Sequence, residues 1–300
     1  MLKIAWSKIY NHPLPEGHRF PMEKYDLLPE QLLYEGTISQ ANLFEPRKLT
    51  EAEILATHDA DYWQRLKNLQ LTRKEERRSG FPLSDLIVER EITINAGTIE
   101  CAEFALQYGV AMNVAGGTHH AYTNRAEGFC FLNDIAIAAN YLLNENKAQK
   151  ILVVDLDVHQ GNGTAQIFRN EPRVFTFSMH GAKNYPMHKE QSDLDIGLPD
   201  KTDDAEYLKI LDFHLKHLLD IVKPDFIFFQ SGVDVLATDK LGRLGMSIAG
   251  CKKRDQLVFE AAYKNEIPIV ASMGGGYSEK IKDIIEAHAN TYRVAQEIYF

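Results

Sequence analysis

Cysteine is scarce in this chain. Cys101, Cys130 and Cys251 are the only three in 300 residues, widely spaced and without a CxxC pair. That excludes a disulfide framework or a structural zinc ribbon and makes a reducing compartment the expectation. No apolar run approaches the roughly 18 residues that span a bilayer, and Met1-Leu2-Lys3-Ile4-Ala5-Trp6 is too short for a signal peptide. A cytoplasmic location is expected by default. Basic excess is missing too: the formal net charge is −9 and the pI is near 5.7, which argues against nucleic-acid binding. One local basic run, Arg73-Lys74 to Arg77-Arg78, is interrupted by Glu75 and Glu76 and reads as a solvated loop or helix end. Internal repeats, low-complexity segments and flexible linkers are absent, so one domain over residues 1–300 is expected.

What is present is an ordinary globular composition, 45% hydrophobic and 25% charged, enough for a substantial core. The N-terminal part reads as irregular, because Pro13, Pro15, Pro21, Pro29, Pro46 and Pro82 lie there out of 11 prolines. A helix is predicted after Thr50, where Thr50 and Glu53 form a capping-box pattern ahead of Ile54, Leu55, Tyr62 and Leu66. From residue 98 helices and apolar strands alternate. Helices are predicted over 98–108, 134–146, 204–222 and 252–264, and strands over 110–114, 151–154, 173–178, 226–229 and 267–272. In the helix 204–222, Leu208, Leu211, Leu215, Leu218, Leu219 and Val222 form one apolar stripe, so His214 and His217 read as ordinary helix residues. Such alternation with continuously apolar strands implies an α/β fold, a parallel sheet with helices on both faces in three layers.

Polar clusters fall at the carboxyl ends of those strands, where open parallel sheets bind ligands. After Val114 comes Gly116-Gly117-Thr118-His119-His120; after Val154, Asp155-Leu156-Asp157-Val158-His159; after Phe229, Gln230-Ser231-Gly232-Val233-Asp234; after Ser272, Gly274-Gly275-Gly276-Tyr277. If the second run continues as a strand, Asp155, Asp157 and His159 share one face. Unpartnered charge beside a core costs several kcal/mol, and a divalent cation is the simplest partner. Helix capping competes as an explanation for Asp155 and Asp157 taken singly, but four clusters at equivalent places point to a metal site. Asp157, His159 and Asp234 make a set of three ligands with a position open for water, favouring zinc, with iron(II) as the alternative. Such a site activates water and polarises a carbonyl. His120 is then a candidate general base, His119 a proton donor to a leaving amine, and Tyr277 a donor to a developing oxyanion, unless it merely packs over the glycines.

These clusters, with Gly128-Phe129-Cys130-Phe131-Leu132-Asn133-Asp134 and Gln160-Gly161-Asn162-Gly163, resemble the zinc-dependent histone deacetylase family and its bacterial relatives, the acetoin-utilisation deacetylases and acetylpolyamine amidohydrolases. The resemblance covers most of the chain from about residue 50 and implies the arginase/deacetylase-like fold. It assigns Asp157, His159 and Asp234 as zinc ligands, His119 and His120 as the catalytic pair and Tyr277 as the carbonyl-polarising residue. It adds Asp155 as the carboxylate behind His119. It also implies an acyl-lysine tunnel walled by Gly128 and Phe129 with Tyr185 opposite and Gly275 nearby, and a potassium ion held by oxygens of Asp155, Asp157, His159 and Ser178.

One departure stands at Asn162, where many members carry an aspartate behind the second histidine. With Gln160 and Arg19-Phe20-Pro21-Met22, Asn162 makes the chain similar to the class IV branch, in which long acyl chains are removed as well as acetyl. The rim aspartate of the family has no counterpart near Gly80-Phe81-Pro82, where His18 and Arg19 either shape the rim or are plain loop residues. The implied substrate is an acylated lysine or a small acylated amine such as an acetylpolyamine. A two-metal hydrolase of the arginase type and an acyl-lysine binding module without turnover are the rival readings; oligomeric state is not legible.

Overall fold

The computed structural model describes residues 1–300. Eight strands, β1 (Lys3–Ala5), β2 (Leu43–Phe44), β3 (Val110–Asn113), β4 (Ile151–Asp155), β5 (Val174–Gly181), β6 (Leu194–Leu198), β7 (Phe226–Gln230) and β8 (Ile269–Ser272), form one sheet. Its order is β2-β1-β3-β8-β7-β4-β5-β6, and every neighbouring pair is parallel. Parallel strands need long return connections. Ten helices supply most of them: α1 (Lys24–Tyr34), α2 (Glu51–Leu55), α3 (Ala60–Lys67), α4 (Arg73–Ser79), α5 (Asp85–Tyr108), α6 (Asp134–Asn144), α7 (Asn162–Phe168), α8 (Asp204–Val222), α9 (Ile248–Lys264) and α10 (Ile281–Tyr299).

The central strands β3, β8, β7 and β4 are buried at every position, which is why they read as continuous rather than alternating apolar runs. α5 lies against α6 and the β1, β3 and β8 strands, whereas α8, α9 and α10 pack in series. Apolar side chains from Leu2 to Ala295 join a single cluster of 81 buried residues.

Helix α8 has the predicted bounds. Asp203 caps it by accepting from the Glu206 N–H, and Leu211, Leu215, Leu218 and Val222 point inward. Elsewhere long-range bonding overrode the local pattern. The Thr50–Glu53 capping box forms, but α2 stops at Leu55 and the chain restarts as α3. The break is made by the 122–123 segment: the Asp59 N–H donates to Thr123 O, and the His58 Nδ1 lies 3.0 Å from Tyr122 O. Helix α5 begins 13 residues before the predicted residue 98. Its added first part carries Arg90 and Glu91 into the core, where they pair at 2.7 Å, with the Arg90 Nε donating to Tyr10 O. The N-terminal third is also more regular than its prolines suggest, holding both β1 and β2, and the basic run is a helix of its own, α4.

Strands β4 and β7 release two of the polar segments, and Arg254 of α9 ties them together. Its guanidinium is wholly buried, donating to Gly232 O at 2.5 Å, Ser231 O at 3.2 Å and Leu156 O at 3.3 Å. Its charge is balanced by Asp255, 2.7 Å away, which also accepts from Thr291. Removing one partner of a buried pair strands the other charge. Arg254→Ala should therefore lower the unfolding free energy by about 3–5 kcal/mol, read as a drop in the urea midpoint; an unchanged midpoint would show that the carbonyls are held by something else.

Candidate metal centre and acyl tunnel

The four polar clusters leave the carboxyl ends of β3, β8, β7 and β4, which are adjacent in the sheet. The expected extended run Asp155–His159 is not a strand: β4 ends at Asp155, and residues 156–160 turn away. The three side chains therefore do not share a face. Asp155 turns to His119, while Asp157 and His159 turn to Asp234 of the neighbouring loop. The ligand atoms of Asp157, His159 and Asp234 lie within 4.8 Å of one another, all buried. His159 Nδ1 is 3.1 Å from both Asp157 Oδ1 and Asp234 Oδ2.

Backbone amides aim the carboxylates. The Val158 N–H donates to Asp234 Oδ1 and the Gly275 N–H to Asp157 Oδ2, each at 2.9 Å. Gly275 must lack a side chain, because a Cβ there would stand 2.1 Å from Asp234 Oδ2 and 2.8 Å from Asp157 Oδ2. This convergence of one imidazole and two carboxylates in a dry site fits a divalent ion of borderline hardness such as zinc or iron(II). Without a cation, the set keeps a proton instead. Burial opposes charging of His159, but the hydrogen bonds it donates to Asp157 and Asp234 outweigh it and raise its pKa to about 10; burial, then Asp157, pushes Asp234 upward.

The two adjacent histidines are sorted by what stands behind them. His119 Nδ1–H donates to Asp155 Oδ2 at 2.7 Å. Burial works against the charged ring, yet Asp155 and Asp157 prevail and raise its pKa to about 9. His120 Nδ1–H donates to the amide oxygen Asn162 Oδ1 at 2.6 Å, which leaves Nε2 with its lone pair. Burial, then the charges on His119 and His159, hold His120 well below its ordinary pKa. The surroundings thus favour the charged form of one ring and the neutral form of its neighbour.

The sequence reading missed what lies behind Asn162. Its amide Nδ2 donates to Glu127 Oε1 at 2.9 Å and to the Tyr122 hydroxyl at 3.0 Å, and Tyr185 OH donates to the same Glu127 oxygen at 2.7 Å. A carboxylate therefore does serve His120, one residue further out. No spacing in the chain signals it, since Glu127 and Asn162 are 35 positions apart.

Outward from the trio opens a cavity of about 520 Å³ lined by Gly128, Phe129, Tyr185 and Tyr277. Phe129 has φ +66°, which costs a non-glycine residue roughly 1–2 kcal/mol. It is held there by its N–H donating to Ser79 O and by ring contacts with Phe20, Phe81 and Tyr277. Tyr185 stands edge-on to His120, centroids 5.1 Å apart. Tyr277 is buried between Phe20, Phe129 and His159, and burial, then Asp234 and Asp157, keeps its phenol protonated. Gly275 faces the metal ligands as well as the small inner cavity. Of the two candidate rim residues, Arg19 lines the cavity and lies over the Phe129 ring, whereas His18 stacks on Phe81 and bonds Gly80 O. Ser178 sits beside Asp155 in the sheet register, but its hydroxyl bonds to His180 and stays outside the trio. All three cysteines are free and buried, and no helix is long and apolar enough to cross a membrane.

In the absence of a cation Asp157 and Asp234 favour a proton on His159, so binding zinc there must release it. Zinc binding to the chelator-stripped protein at pH 7–8 should liberate about one proton, read by calorimetry in buffers of different ionisation enthalpy. Affinity should rise as pH rises toward the His159 value of about 10. A buffer-independent heat would contradict a protonated His159.

Comparison with known proteins gives matches over nearly the whole chain. The histone deacetylase domain family matches residues 18–292. The chain is 45% identical over 296 residues to an uncharacterized protein of Picosynechococcus sp., covering 99% of each. It is 27% identical to histone deacetylase 2 of Arabidopsis thaliana, covering 89% of this chain and 72% of that one. It is 28% identical to the acetoin utilization protein AcuC of Staphylococcus aureus, covering 91% and 76%. Among solved structures, an HDAC homolog from Aquifex aeolicus superimposes with a TM-score of 0.84 at 24% identity over 98% of this chain and 84% of that one, a likeness of fold. A match over nearly the whole length, on a parallel sheet of this order, has one meaning: the chain belongs to the histone deacetylase domain family.

Proposed function

We propose that this protein is a metal-dependent amidohydrolase that removes acetyl or longer acyl groups from the ε-amine of lysine. The observation that carries the reading is the sorted histidine pair beside the Asp157–His159–Asp234 trio. A neutral base and a charged acid, separated by their partners, are what amide hydrolysis needs in one site. A divalent cation held by the trio would polarise the acyl carbonyl and make a bound water acidic.

The remaining roles fall to the chain's own residues. His120, neutral with Nε2 free, takes the proton of the attacking water. His119, kept charged by Asp155, gives a proton to the leaving amine. Tyr277 donates its hydroxyl to the carbonyl oxygen as negative charge develops there. Phe129 and Tyr185 flank the acyl stem and exclude water from it. The potassium ion is part of the reading through the adjacency of Asp155 and Ser178 on β4 and β5. The side chains of that set are engaged elsewhere, so main-chain oxygens of Asp155, Asp157, His159 and Ser178 would carry most of the contact.

A two-metal site of the arginase type is disfavoured because Asp155 is committed to His119 and leaves no bridging carboxylate. Turnover of acetyl-lysine and long-chain acyl-lysine reporters, abolished by a hydroxamate chelator, is the expected result. Zinc content near one per chain should accompany it; two metals, or no chelator-sensitive turnover on any acyl chain, would overturn the reading. Tyr277→Phe should lose at least about tenfold in kcat while retaining zinc. Replacing Asn162 by Asp alone would set two carboxylates against each other at Glu127. In a Glu127→Gln background, Asn162→Asp should raise the His120 pKa and move the acid limb of the kcat/KM profile up by about one pH unit. An unmoved limb would remove His120 as the base.

A further inference from the structure

Around the mouth of the tunnel the charge of this protein is inverted. The chain carries −9 overall, yet Arg19, Arg77, Arg78, Lys183, Lys240 and Arg243 all line the outer cavity, and no aspartate or glutamate does. All six are exposed. Arg243 and Lys183 share one counter-charge, Asp200, at 3.1 and 3.9 Å; the other four have no carboxylate partner. Two further carboxylates beside lining residues are engaged elsewhere: Glu127 on Asn162 and Tyr185, and Asp239 on the backbone N–H groups of Leu241, Gly242 and Tyr277.

Resting on the deacylase reading, we propose that the substrate is an acylated lysine set in an acidic peptide segment. The six cations come from four separate pieces of chain: the segment before α1, the last turn of α4, the segment after β5 and the segment after β7. They line the opening from different segments rather than from one loop. A set of separate charges suits several carboxylates strung along a peptide on both sides of the inserted lysine. A single small anion would instead need donors gathered on one spot. A long polyanion would have to run onto a surface that carries the acidic excess of the rest of the molecule. The same set repels cationic acylated polyamines and lysine- or arginine-rich tails, since like charges at a mouth lower the local substrate concentration.

The test uses the zinc-loaded full chain and three fluorescein-labelled peptides with one central acetyl-lysine, flanked by aspartate and glutamate, by serine and glycine, or by lysine and arginine. Turnover and the Kd of each peptide, by fluorescence anisotropy, are measured at low and at high salt. The acidic peptide is expected to exceed the basic one at least about tenfold in kcat/KM at low salt, with the gap closing as salt screens the rim. Arg77→Glu/Arg78→Glu, and separately Lys240→Glu on another segment, should each reduce or reverse that order. The pair Lys223→Glu/Lys264→Glu, at the far ends of α8 and α9, changes the net charge equally and should leave the order intact. Chelator-sensitive turnover that is equal for the three peptides, or faster for the basic one, overturns the inference and leaves the deacylase reading standing. No turnover on any peptide removes the deacylase reading, and equal Kd values would then overturn the rim inference as well. Tighter competition by a short single-stranded oligodeoxynucleotide than by the acidic peptide, or equal turnover of free Nε-acetyl-lysine with its single carboxylate, also overturns it.

Discussion

Two carboxylates and an imidazole withdrawn from water at the ends of β4 and β7 are the constraint around which the molecule is arranged. Each ion taken into such a site costs several kcal/mol unless partners return it. The fold answers with aimed amides at Val158 and Gly275, a glycine where any side chain would strike the carboxylates, and a shared proton when no cation is present. Arg254 belongs to the same arrangement, since its guanidinium gathers the carbonyls of Leu156, Ser231 and Gly232 beneath the ligand loops. The sheet order makes this possible by setting β8, β7 and β4 side by side although they are far apart in the chain.

The histidine pair illustrates how one small difference separates two neighbouring groups. His119 and His120 are neighbours with ring centroids 4.1 Å apart, equally removed from solvent. What separates them is a carboxylate behind one and an amide behind the other. The amide sets the His120 tautomer without supplying charge directly, and Glu127 stands behind it at one remove. Asn162 is thus a spacer between an imidazole and a carboxylate, and Tyr185 links that spacer to the tunnel wall through the same Glu127 oxygen.

Much of this was legible because strand, loop and motif coincide in the sequence. The apolar runs at 110–114, 151–154, 226–229 and 267–272 mark strands buried on both faces, and each is followed at once by its cluster of candidate residues. The α8 stripe needed no context, because its leucines are inward-facing at helical spacing and its cap is local. Legibility failed where distant segments intervened. The helix after Thr50 was broken by bonds to residues 122–123, and the start of α5 was hidden because Arg90 and Glu91 satisfy each other inside the core.

By itself the sequence determined the α/β class, the candidate ligands and catalytic groups, and the membership that those motifs carry. These are local properties: burial writes apolar runs, and chemistry demands particular side chains at strand ends. The tertiary structure alone decided that Asp155 parts company with Asp157 and His159, that Glu127 stands behind Asn162, and that six cations from four segments meet at one mouth in an acidic protein. Each of these depends on distances between residues remote in the chain, and such distances exist only once the sheet has brought the segments together.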